Sequence, residues 1–423
     1  MKLSVTNQQT LKRDEKPFFF LADTCWSAFT NIQKDEWIRY LLKRKSQGFN
    51  TLQINILPQW DRSLSGFTAL PFEETDGVYD FSSLNSEYFS RAQEMCQIAD
   101  EHGFTLALVV LWANYVKGTW ASQLDSEKNV FPKNHLINYF EKVIETFDDF
   151  TPMYFIGGDT DFPKSETIDT YHYAFDYFER YSKKTLKTIH IKGRFTDIPD
   201  EIAERLDLFL YQSGHNHSFN NMPFYLAEEF TKKKQKLPII NSEPCYEQMG
   251  YARQEYGRFS QKDVRQAAWQ SVLSGAFAGV TYGAHGIWSW HQPNSTFARN
   301  MGEAFDSPMI WHEALMFPGA NDYGYIKYLF EMYQIENLIP VNECLVKGNE
   351  QIRISKKPDD SLVLIYIPSN TSIHVDMNLT EFKLVLVDLQ TRYFYEPTFE
   401  IVDNVTKFAT HSCKEDVLLI AYK

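Results

Sequence analysis

The chain has 423 residues, 43% of them apolar, with 55 Asp and Glu against 42 Lys and Arg, a formal net charge of −13. That acidity, without any long Lys/Arg run, argues against nucleic acid and against an anionic membrane surface as partners, and the apolar content excludes disorder over most of the length. An α/β barrel alone takes about 250 residues, so one large and one small domain is the simplest partition.

Residues 1–16 are polar and charged, with no basic start and apolar run of the signal-peptide kind. No stretch of 18 apolar residues occurs, so no membrane span is expected. Cys25, Cys96, Cys245, Cys344 and Cys413 are odd in number and widely spaced, with no CxxC. They read as reduced thiols, and the expected location is cytoplasmic. A secreted chain trimmed of its leader would read the same way.

From residue 18 to about 290, apolar runs alternate with segments of helical period. Residues 18–22 form a short apolar run, and 34–47 place Trp37, Ile38, Leu41 and Leu42 on one helical face. Strand-like 51–57 is followed by helix-like 86–102, strand-like 105–111 by helix-like 135–147, and 153–156 by 171–183. Further short strands are expected at 188–191, 206–211, 237–241 and 279–282, with a helix over 261–274. Eight such units closing on themselves describe a (β/α)8 TIM barrel. The unit between the fifth and sixth strands is the shortest. A doubly wound open sheet would want a Gly-rich phosphate turn after its first strand, and Asp23-Thr24-Cys25-Trp26 is not one.

After about residue 343 the pattern changes. Runs at 351–355, 362–367, 383–388 and 417–422 are separated by turns such as Pro358-Asp359-Asp360. The expected division is a barrel over 1–342 and a small all-β sandwich over 343–423, with a helix at 326–334 near the junction.

Barrel chemistry sits where the strands end. Asp159, in Gly157-Gly158-Asp159-Thr160-Asp161, and Glu243, in Asn241-Ser242-Glu243-Pro244-Cys245-Tyr246-Glu247, are each delivered to the mouth by an apolar strand. Two carboxyl groups flanking one bond are what glycoside hydrolysis needs. Asp161 lies on the same turn as Asp159, and either could be the acid, while Glu247 and Asp23 are lesser candidates for the pair. Aromatic faces can stack on sugar C–H surfaces while indole and phenol groups bond hydroxyls. Asp23, Trp26, Asn55, Trp112, Asp161, Tyr211, His215, Tyr246, His285 and Trp288 are therefore the expected sugar contacts, with Tyr211 bonding Glu243. Trp290 is a further aromatic near the mouth. No Lys or Arg lies among the strand ends read here, which suits a neutral substrate. Such chemistry needs no cofactor.

His215-Asn216-His217 could instead hold a metal, but no second group of ligand spacing accompanies it, and HExxH and G-x-S-x-G are absent. A metal-dependent hydrolase and a non-catalytic carbohydrate-binding barrel are the rival readings. Oligomeric state, including a homo-oligomer, is left open.

Several blocks in order resemble one family. Pro17-Phe18-Phe19-Phe20-Leu21-Ala22-Asp23-Thr24-Cys25-Trp26, Lys45-Ser46-Gln47-Gly48-Phe49-Asn50, Phe155-Ile156-Gly157-Gly158-Asp159, Asn241-Ser242-Glu243-Pro244-Cys245-Tyr246-Glu247 and Tyr282-Gly283-Ala284-His285-Gly286-Ile287-Trp288 resemble DUF4038-type glycoside hydrolases. These are the apiosidase-like group of glycoside hydrolase family 140. The resemblance spans about residues 15–330. It implies a (β/α)8 catalytic domain with Asp159 as acid/base and Glu243 as nucleophile. It also implies a C-terminal sandwich of the collagen-binding-domain type. The arrangement is similar to the wider clan of retaining barrels that includes family 5. That clan usually has Asn-Glu at strand four, where this chain has Gly158-Asp159.

Overall fold

The computed structural model describes residues 2–297 and 305–423. Eight parallel strands run Phe20–Thr24, Thr51–Asn55, Thr105–Trp112, Met153–Gly158, Leu186–Thr188, Phe209–Tyr211, Ile239–Asn241 and Gly279–Tyr282. Numbered one to eight along the chain, they lie in the order five, four, three, two, one, eight, seven, six. The two ends of that order meet. A parallel bridge joins His190 to Leu210, the Asp207 N–H donates to the Lys187 carbonyl at 2.9 Å, and Thr188 Oγ1 donates to the Leu208 carbonyl at 2.7 Å. The sheet is thus a TIM barrel. All residues of strands one to four and of strand eight are buried, as expected for parallel strands packed on both faces.

Helices Lys34–Ser46, Ser86–Glu101, Lys133–Phe147, Ser165–Tyr181, Met222–Thr231 and Gln261–Val272 surround the barrel. Local chemistry sets their starts. Asn85 Oδ1 accepts the Glu87 N–H at 3.0 Å, and Ser260 and Asp263 cap each other's backbone N–H groups. A cap of this kind is worth about 1 kcal/mol. Unit five carries only the four-residue helix Asp200–Ala203, which accounts for the short spacing there. Strand five also begins two residues before the expected 188, and the helix expected at 171–183 starts at Ser165.

A three-stranded antiparallel sheet, Leu3–Val5, Leu11–Arg13 and Lys16–Phe18, precedes the barrel. Arg13 Nη1 donates to the Gly103 carbonyl at 3.1 Å, beside the start of strand three. The sheet therefore lies by the end of the barrel opposite the strand C-termini. Neither this sheet nor helix Met222–Thr231 was legible as periodicity.

Beyond the barrel, helix Gly319–Met332 leads to two antiparallel sheets. One has six strands, with Leu362–Ile367 and Val417–Tyr422 at its centre. The other has four, including Ile373–Val375 and Val405–Phe408. Their facing apolar residues form a core of their own. Arg265, on barrel helix Gln261–Val272, ties the two parts together. It contacts Asp322 at 3.0 Å, Glu415 at 2.7 Å and Asp416 at 3.0 Å. All five cysteines are free thiols. Among the described residues, no helix is long and apolar enough to cross a membrane.

Candidate active site

A cavity of about 290 Å³ opens at the C-terminal ends of the strands, and both Asp159 and Glu243 line it. Gly158 places Asp159. A Cβ on Gly158 would lie 2.3 Å from Trp112 Cε3, so only glycine lets the chain pass this ring. Asp159 itself sits at φ +50°, a left-handed conformation that a short polar residue tolerates. Trp120 Nε1 donates to its carbonyl at 2.6 Å, and the Thr160 N–H donates to the His190 carbonyl at 3.2 Å. The turn is fixed from both sides.

Glu243 is 6% exposed and sits between two imidazoles. His215 Nε2 lies 2.9 Å from Oε1, and His190 Nε2 lies 3.2 Å from Oε2. His190 is oriented in turn by Ser242, whose Oγ is 2.8 Å from Nδ1. Burial by itself would push the carboxyl of Glu243 up from its ordinary range. The imidazoles of His190 and His215 outweigh it and hold the carboxyl down to about 2. Asp159 is driven the other way. Burial pushes its carboxyl well above the ordinary range, and the charges of Glu243, Asp61 and Asp161 add to the push, against Lys192. One cavity thus holds two carboxyl groups displaced in opposite directions, Asp159 upward and Glu243 downward.

Aromatic rings form the wall. Trp26 lies 5.1 Å from Trp112, and its Nε1 donates to the Tyr246 hydroxyl at 3.1 Å. Trp112 also packs on the His190 ring at 5.8 Å. Its own Nε1 is buried with no hydrogen-bond partner among the described residues. Trp288 closes another side.

Of the expected sugar contacts, Trp26, Trp112, His215, Tyr246 and Trp288 line the cavity. Asp23, Asn55, Asp161, Tyr211 and His285 do not. Asp23 is fully buried beneath the mouth, paired with Arg44 at 2.6 Å and with Tyr40 at 2.7 Å. Asn55 bonds Gln59, which does line the cavity. Asp161 bonds the Trp120 N–H at 3.1 Å and Lys192 at 2.7 Å. Tyr211 donates to the Pro223 carbonyl at 2.7 Å, so the contact to Glu243 expected of it is made by His190 and His215. His285 accepts from Trp288 Nε1 at 3.0 Å and meets the Asp306 carbonyl at 2.6 Å, which makes it the support of that indole. Glu247 and Trp290 also lie outside the cavity, bonded to Tyr282 and Glu36 respectively.

Sequence reasoning missed His190, Gln59, Trp60, Asp61, Trp120, Lys192 and Arg194, all at or in contact with this site. Lys192 and Arg194 correct the expectation of a mouth without cations: they leave strand five, whose end was not read. His190 was legible as a lone imidazole in a β-like run. Its ring could not be aimed from sequence. The two histidines read as a metal pair diverge, since His217 stacks on Tyr251 at 4.3 Å while His215 holds Glu243. Among the described residues, no group of three His, Cys, Asp or Glu has metal-binding geometry.

A (β/α)8 barrel with an aromatic mouth and two carboxyls of opposite character defines a class, the barrel glycoside hydrolases. The family described as "Apiosidase-like, catalytic domain" matches residues 5–337. The chain belongs to that apiosidase-like family and is a glycosidase. Among curated proteins none matches. Among solved structures, one titled "Glycoside hydrolase" is similar at TM-score 0.81 and 21% identity, covering 100% of this chain and 97% of that one. A glycoside hydrolase family 5 protein from Bacteroides vulgatus is similar at TM-score 0.82 and 22% identity, with 100% and 94% covered. A family 5 mannosidase from Rhizomucor miehei is more distant, at TM-score 0.54 and 9% identity, with 78% and 99% covered. At these identities the likeness is one of fold.

Proposed function

We propose that this glycosidase cleaves a small glycoside by a retaining, two-carboxylate mechanism. The observation that carries the reading is the opposite displacement of two carboxyl groups in one cavity. Asp159 is kept protonated, mainly by burial and by the Glu243 charge, while Glu243 is held ionised at about 2 by His190 and His215. Pairs pushed apart in this way divide into acid and nucleophile. Glu243 attacks the anomeric carbon as Asp159 protonates the leaving oxygen. The resulting Asp159 carboxylate then takes a proton from water, which attacks the glycosyl ester and releases Glu243. The His190 and His215 contacts favour the Glu243 carboxylate, as its role of leaving group in the second step requires. A cavity of about 290 Å³ stands at the small end of ligand pockets, which supports a short substrate over a polymer groove.

The test uses methyl glycosides, whose leaving group needs a proton, and 4-nitrophenyl glycosides, whose leaving group does not, of apiose, arabinose, rhamnose, galactose and glucose. Glu243→Gln is expected to abolish turnover. Asp159→Asn is expected to lower kcat by about 10²–10⁴-fold on substrates whose leaving group needs a proton. Proton NMR of the first product anomer should show retained configuration. Near-normal turnover of the methyl glycosides in either variant overturns the roles, and an inverted anomer overturns retention.

A further inference from the structure

A third carboxyl group lines the cavity. Asp61 lies six residues beyond strand two, in an irregular segment held by side chains from below. Tyr88 donates to the Ile56 carbonyl at 2.5 Å and Tyr115 to the Pro58 carbonyl at 2.8 Å. Arg62 Nη1 donates to the Gln59 carbonyl at 3.2 Å. Asn55 orients the Gln59 side chain, whose Nε2 donates to Asp61 Oδ1 at 2.9 Å. Five side chains therefore aim one carboxyl group.

We propose that Asp61 binds the substrate, accepting hydrogen bonds from hydroxyl groups of the sugar ring held between Asp159 and Glu243. This rests on the glycosidase reading of the same cavity. An ionised carboxylate only accepts hydrogen bonds, so the site selects rings with free hydroxyls at that position over deoxy or O-methylated ones. The charges facing Asp61 are those of Glu243 and His215 across the cavity, with Asp159 and Lys192 further round and Arg62 alongside. Burial and the Glu243 charge raise its carboxyl to about 6, against the Gln59 and backbone hydrogen bonds and His215. Its negative charge in turn helps to keep Asp159 protonated. Asp61 thus has two effects that separate experimentally, one on binding and one on the pH profile.

Asp61→Asn removes the charge and retains the shape. On the best methyl glycoside of the panel, kcat/KM is expected to fall about 10- to 100-fold, the scale of a hydrogen bond to a charged group. The alkaline limb of its pH profile should move to lower pH, because Asp159 loses a neighbouring negative charge. The thermal midpoint should not fall, since a carboxylate disfavoured by burial has been replaced by a neutral amide. Partial recovery in Asp61→Glu would support the role. A kcat/KM within twofold of wild type, or a loss with an unmoved alkaline limb, overturns the proposal. Failure of the underlying reading is read separately, as near-normal turnover in Asp159→Asn or Glu243→Gln.

Discussion

Four residues beyond Glu243, Glu247 points away from the cavity. Its Oε2 accepts the Tyr282 hydroxyl at 2.5 Å and the Gly319 N–H at 2.9 Å. Burial raises its carboxyl to about 7, against these hydrogen bonds. The sign for stability follows by linkage. The unfolded chain gives up this proton near pH 4.5 while the fold retains it to about 7, so stability present at pH 4 is lost as pH rises through 7. The full displacement corresponds to about 3 kcal/mol. Glu247→Gln keeps an acceptor without the charge. Urea unfolding at pH 5 and pH 8 should show the variant gaining on wild type by about 2–3 kcal/mol at the higher pH. Parallel pH dependences for the two proteins would remove Glu247 as the cause. Sequence reading placed Asp159 and Glu243 at the mouth, where both line the cavity, because apolar strands deliver them directly. It mistook Asp23 and Tyr211 for mouth residues because a strand end has an inner and a lower side, and the side is set by register. Asp61 and Lys192 escaped because they lie six and four residues beyond the ends of their strands, against one and two for Asp159 and Glu243, and at that remove spacing no longer fixes position.

At the scale of the element, the fourth strand couples backbone to site most tightly. Gly158 lets Trp112 lie flat over the chain, and Asp159 follows in a left-handed turn. Gly158→Ala must displace either the indole or the strand, because the new methyl group would meet Trp112 at 2.3–2.7 Å and Val109 at 2.8 Å. Overpacking of this kind costs about 1–3 kcal/mol. The expected result is a lowered melting temperature and a kcat/KM loss larger than the change in folded fraction explains. Full activity at a temperature where the variant is folded would show the turn to be more tolerant than this geometry implies. The strands and helices here were legible because parallel barrel strands are continuous apolar runs and their helices repeat at 3.6 residues. The N-terminal sheet was not, since its three-residue strands are too short to show alternation.

For the whole molecule, the net charge of −13 concealed the arrangement at the mouth. Lys192 and Arg194 stand in the same cavity as Asp159, Asp61 and Glu243. A chain average is silent about where charges meet. The same holds for Arg265, whose three carboxylate partners come from segments 57 to 151 residues away. This pairing compensates the cost of burying its charge. It also fixes the sandwich against the helix that backs strands seven and eight. Fold class was readable because eight repeated units leave few topologies. The contact between the two parts was not, because nothing local marks a residue whose partners are so distant.

The join between strands five and six has a further consequence. Strand five has only three residues, and a single bridge at His190 continues it towards Leu210. Local opening begins where backbone pairing is thinnest. His190 also touches Glu243, so an opening there reaches the reaction before the rest of the barrel notices. On slow heating, activity should decline reversibly several degrees below the loss of far-ultraviolet ellipticity. Coincidence of the two curves would show the seam to be as firm as the strands around it. If activity is lost first, the chain carries its most heat-sensitive joint inside the proposed catalytic centre.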